Sequence, residues 1–137
     1  MIDLIIMIIL PIACRWVGSK EKLILREGEV LSNELREFAV KIGIKDPSQV
    51  RILKVDKIPL LALMPGKLAG LTLNYGIYIR KDCVASTRIL KHELAHTLQY
   101  EQLGGIKGFL KKYFKEVMIF GYHQAPMELE AKSKELI

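Results

Sequence analysis

His92-Glu93-Leu94-Ala95-His96 is the stretch that decides how this chain is read. On an α-helix, residues four apart share a face, so His92 and His96 present two imidazole nitrogens to a single ion while Glu93 lies beside them. Glu93 is then not a ligand but a general base, placed to take the proton of a metal-bound water that zinc has made acidic enough to ionise near neutral pH. The flanks predict such a helix. Ser86 or Thr87 caps it, Gly104-Gly105 closes it, and Leu90, Leu94 and Leu98 fall on the side away from the histidines, where they grip a core.

A catalytic zinc needs a third protein ligand and an open fourth position. Downstream, His123, Glu128 and Glu130 are the candidates. Pro126 starts a helix at its first turn, and a carboxylate in that turn can project into a cleft, which favours Glu128. Glu130 points to a different face and is the reserve, while His123 would make a three-histidine site. Tyr122 or His123 is also placed to donate a hydrogen bond to the oxyanion of a tetrahedral intermediate.

Around this motif the chain reads as α+β. Ser32 caps a helix with Leu35, Phe38, Ala39 and Ile42 on its apolar face and Gly43 at its end. Residues 50–55 and 71–80 read as strands, the second bent or hairpinned at Gly76, with a loop over 59–70 between them. These predict a small, mostly antiparallel sheet packed against the motif helix and further helices. The strand ending near Arg80 is expected to offer an edge to an extended peptide. After Gly105 an amphipathic helix sets Phe109, Leu110 and Tyr113 on an apolar stripe, with Lys107, Lys111, Lys112 and Lys115 on the other face.

With 137 residues, half of them hydrophobic and 26% charged, the chain is expected to fold as one domain over 1–137. Its net charge of +6 would suit anionic partners, yet it holds no specific nucleic-acid motif, neither zinc-finger spacing nor an aromatic RNA-recognition signature, so a solvated basic surface is the reading. Cys14 and Cys83 form no CxxC pair, which suits a reducing, cytoplasmic setting. Residues 2–13 are apolar apart from Asp3. They are shorter than the about 20 residues of a span and lack a basic leader, so residues 1–14 are expected to pack on the domain or make a peripheral membrane contact.

With these residues in hand, the chain resembles the zincin-like metallopeptidases, and most closely their gluzincin branch. It is also similar in element order to small bacterial metallopeptidase domains. The similarity runs from Val50-Arg51-Ile52-Leu53 through His92–Tyr100 to Gly121-Tyr122 and Ala125–Ala131. The resemblance implies a zincin-like fold, Zn2+ held by His92, His96 and Glu128, Glu93 as general base, and a polypeptide substrate. Gluzincins often carry an aspartate four residues after the ligand glutamate that orients a ligand histidine. Lys132 stands there in this chain, which implies that this support comes from elsewhere. Gluzincins also wall the cleft with a carboxy-terminal subdomain, and this sequence stops at Ile137.

The leading expectation is a zinc endopeptidase acting on exposed, extended polypeptide. The alternatives are a binding or regulatory module on a zincin scaffold with a structural or vestigial metal site, motivated by Lys132, and a nucleic-acid-associated protease, motivated by the positive charge.

Overall fold

Among the described residues, hydrophobic spacing and a few caps build five α-helices and three strands. The computed structural model describes residues 1–59 and 68–137. Helix α1 (Ile2–Glu27) buries Ile6, Leu10, Ala13, Val17 and Ile24, a stripe on one helical face along nearly its whole length. The sequence reading stopped this segment near residue 14. Pro11 lies inside the helix and removes one backbone donor, but the stripe continues on both sides of it and carries the helix through.

Helix α2 (Asn33–Ile42) begins where Ser32 Oγ accepts from the Leu35 amide at 3.3 Å and ends at Gly43, whose φ of 104° suits glycine. Strand β1 (Arg51–Val55) follows, and the Glu29–Ile52 bridge ties the α1–α2 connection to it. Strands β2 (Gly70–Leu73) and β3 (Gly76–Arg80) form a hairpin. Its turn is Asn74-Tyr75 rather than Gly76, with Asn74 at φ 63°, a left-handed position that asparagine tolerates. Of the loop expected over 59–70, residues 60–67 lie outside the described residues.

The strand order is β1-β3-β2, with β1 parallel to β3 and β2 antiparallel to it. The sheet is therefore mixed and not mostly antiparallel. The chain passes from β1 to the far edge before the hairpin returns β3 to the middle, and that route fixes β3 parallel to β1. It also makes β2, not the strand ending at Arg80, the edge beside the motif helix.

Helix α3 (Thr87–Gln102) carries the motif and starts with Ser86 Oγ accepting from the Ile89 amide. Helices α4 (Ile106–Phe120) and α5 (Pro126–Lys134) complete the fold. Alternation along β3 divides the core. Ile77 and Ile79 pack with Leu35, Phe38, Leu94 and Leu98 of α2 and α3, whereas Tyr78 faces the cluster built by α1 and α4. Phe109 stacks between Tyr100 and Tyr113, with centroids 3.6 and 5.3 Å away, which fixes α4 against the histidine side of α3.

Candidate metal centre

His92 and His96 stand four positions apart, and the helix between them turns both rings toward the first turn of α5, where Glu128 lies. One donor atom from each of His92, His96 and Glu128 lies within 4.8 Å of the others. Glu128 Oε1 is 2.9 Å from His92 Nε2 and 3.3 Å from His96 Nε2. Donors bound tetrahedrally at ~2.0–2.1 Å sit about 3.3 Å apart, so these separations fit one shared ion. Two imidazoles and a carboxylate also leave a coordination position free.

The three groups are strongly coupled electrostatically. Burial disfavours charge on both rings, but the Glu128 carboxylate outweighs it. His92, helped by Glu93 and Glu135, is pushed up to about 9, and the more deeply buried His96 is raised as well. Burial opposes charge on Glu128 too, yet hydrogen bonds from both histidines and from Tyr113 hold its carboxyl far below the usual range. Tyr113 Oη donates to Glu128 Oε2 at 2.5 Å. A carboxylate whose ionised form is favoured and whose other oxygen is anchored by Tyr113 is suited to bind a cation.

The far nitrogen of each ring is also held. His92 Nδ1 lies 2.7 Å from Glu135 Oε2, and Arg88 Nη1 donates to Glu135 Oε1 at 2.9 Å. His96 Nδ1 lies 2.8 Å from Gln99 Oε1, while Gln99 Nε2 donates to the Met127 carbonyl at 2.9 Å. With Nδ1 given to these acceptors, a ring that loses its other proton would present its Nε2 lone pair to a shared ion. Support for the histidines thus comes from Glu135 and Gln99, and Lys132 is exposed.

Glu93 is buried beside the cluster without joining it. Thr72 Oγ1 of β2 lies 2.7 Å from Glu93 Oε1 and 2.9 Å from the Glu93 carbonyl. Burial raises the affinity of this carboxylate for a proton, against the pull of His96, His92 and Thr72. Gly70 makes room for it: a Cβ there would stand 3.0 Å from Glu93 Cγ and 3.2 Å from Oε2. The β2 edge is partly used already, since Tyr100 Oη donates to the Thr72 carbonyl at 3.2 Å.

The remaining sequence candidates separate cleanly. His123 is exposed, with the Tyr122 ring edge to face against it, and Glu130 is exposed with a 3.5 Å contact to Gln99; among the described residues neither belongs to the three-donor cluster. A loop and a helix face turned outward explain both. Tyr122 is half-buried, and burial together with the charges of Glu128 and Glu93 raises its hydroxyl, keeping it a proton donor. The sequence reading missed Gln99, Tyr113, Glu135, Thr72 and Gly70. Only two of these carried a local signal, Gln99 at three residues after His96 and Glu135 at seven after Glu128. Compared with protein-family models, curated proteins and solved structures, the chain matches none.

Proposed function

We propose that this chain is a zinc-dependent metallopeptidase of the zincin type, most similar to the gluzincin branch, hydrolysing bonds in extended polypeptide. The observation that carries the reading is the convergence of His92, His96 and Glu128 within 4.8 Å, with the buried carboxylate of Glu93 alongside.

His92 Nε2, His96 Nε2 and Glu128 Oε1 would hold the ion. Zinc bound there would polarise the substrate carbonyl and lower the pKa of a coordinated water. Glu93 then acts as general base. Its Oε1 is engaged by Thr72, which leaves Oε2 to accept the proton and later deliver it to the departing amine nitrogen. A carboxylate whose proton affinity is raised by burial is suited to both halves of that transfer near neutral pH. Glu135 and Gln99 keep the imidazoles in register, and the protonated Tyr122 hydroxyl is the donor available to a developing oxyanion.

Cleavage of an unfolded polypeptide such as reduced casein by zinc-loaded wild type and Glu93→Gln protein tests this reading. The variant is expected to keep its zinc and lose about 10²–10⁴-fold in rate. Equal cleavage by both proteins would remove Glu93 from the chemistry.

A further inference from the structure

Helices α1 and α4 lie antiparallel, with Lys115 Nζ 3.3 Å from Asp3 Oδ1 near one end and Ile106 against Gly18 near the other. The start of α1 and the end of α4 therefore share one end of the pair. That end is apolar and uncovered. Ile8 and Ile12 are 63% and 68% exposed, Leu4 and Met7 are exposed beside them, and Ile119 and Phe120 at the end of α4 are each 52% exposed.

The outward face of α1 changes character along its length. Leu4, Ile8 and Ile12 are continued at the same helical angle by Arg15, Ser19, Lys22 and Arg26. Between the two helices runs an open groove of about 910 Å³ floored by Ile6, Met7 and Leu10, with Lys107, Lys111 and Lys115 contributed by α4. An apolar face next to basic side chains matches a layer of hydrocarbon beneath anionic head groups.

We propose that this two-helix face seats the protein on the surface of an anionic lipid bilayer. The first three turns of α1 and the last turn of α4 enter one leaflet, and Lys107 and Lys111 meet lipid phosphates. The helix lies in the interface and does not span. Its opposite stripe from Ile6 to Ile24 is committed to the core. By length and composition alone the 26-residue α1 is long and apolar enough to cross a membrane. Its exposed apolar part, however, is confined to the first half, about 18 Å at ~1.5 Å per residue, against a hydrocarbon thickness of about 30 Å. A second copy of the chain fits this face less well, because a twofold contact would bring the lysines of both α4 helices toward one another.

Flotation of the full-length protein with vesicles of phosphatidylcholine, alone or mixed with phosphatidylglycerol, tests the proposal. Wild type is expected to float with the anionic vesicles and to stay behind with phosphatidylcholine alone. Ile8→Asp with Ile12→Asp is expected to lower partitioning at least about a hundredfold, since two side chains lose their apolar burial. Lys107→Gln with Lys111→Gln, which leaves the apolar face intact, is expected to lower it about 25-fold, at roughly fivefold per basic residue. Circular dichroism should show both variants as helical as wild type. Wild type that fails to float with anionic vesicles would overturn the proposal. So would vesicle-bound protein that resists alkaline carbonate extraction, which marks a span, or a lipid-free dimer abolished by the aspartate pair, which assigns the face to a second copy.

Discussion

Glu135 Oε2 stands 2.7 Å from His92 Nδ1, on the opposite side of the ring from Glu128 Oε1, which is 2.9 Å from Nε2. The two glutamates are seven residues apart, about two helical turns, so one face of α5 and its C-cap brackets the imidazole from both sides. This makes Glu135 a positioning residue rather than a ligand. Glu135→Ala is expected to weaken zinc binding about 10–100-fold while leaving one zinc per chain at saturation, as read by chelator competition. Unchanged affinity would show that the Glu135 contact does not support the site.

Gly70 stands apart from the cluster, because a side chain there would meet Glu93. A methyl group there would press on Glu93 Cγ from 3.0 Å, with Oε2 at 3.2 Å. Gly70→Ala is therefore expected to displace the carboxylate, lowering kcat on the order of tenfold or more with zinc affinity unaltered. Parallel loss of zinc would mean that the strand itself had moved.

On the proposed reading, zinc would compete with protons for the same nitrogens, and this sets a pH dependence. In the metal-free chain His92 is raised from 6.5 to about 9 by its carboxylate partners, so their pairing stabilises the fold fully below about 6.5 and is lost as pH rises through about 9. The zinc-bound form needs both rings neutral and gains over the same interval. The difference in Tm between zinc-loaded and chelator-treated protein is thus expected to widen from pH 6.5 to 9. A constant or narrowing difference would contradict the assignment of His92 as a ligand.

Packing behind the motif gives a stability prediction. Leu94 lies between the histidines in sequence yet is fully buried in the α2–α3 side of the core, whereas Leu129 is 46% exposed on α5. Leu94→Ala is expected to cost about 2–5 kcal/mol in denaturant unfolding, and Leu129→Ala well under that.

What could be read from residues alone follows the range of the interactions. The histidine pair, Glu93 beside it, the Ser86 cap and the Leu90-Leu94-Leu98 stripe all lie within a few residues of one another, and helical geometry alone relates them. Glu128 was reachable because Pro126 marks a helix start. For Glu135 the seven-residue spacing gives only a face shared with Glu128: its place beside His92 depends on how α5 crosses α3, which no local spacing encodes. Tyr113 was hidden inside an apolar stripe, where a tyrosine reads as core until its hydroxyl is found on Glu128. The length of α1 was masked by Pro11 and by the basic residues after Ala13. The parallel pairing of β1 with β3 was masked because strand order depends on the route between β1 and β2.

Metal analysis of the purified protein beside Glu128→Ala and His123→Ala tests the central claim most directly. The account requires one zinc per chain in wild type and in His123→Ala, and its loss in Glu128→Ala. A metal-free wild type after zinc loading, or zinc kept by Glu128→Ala and lost by His123→Ala, would contradict it.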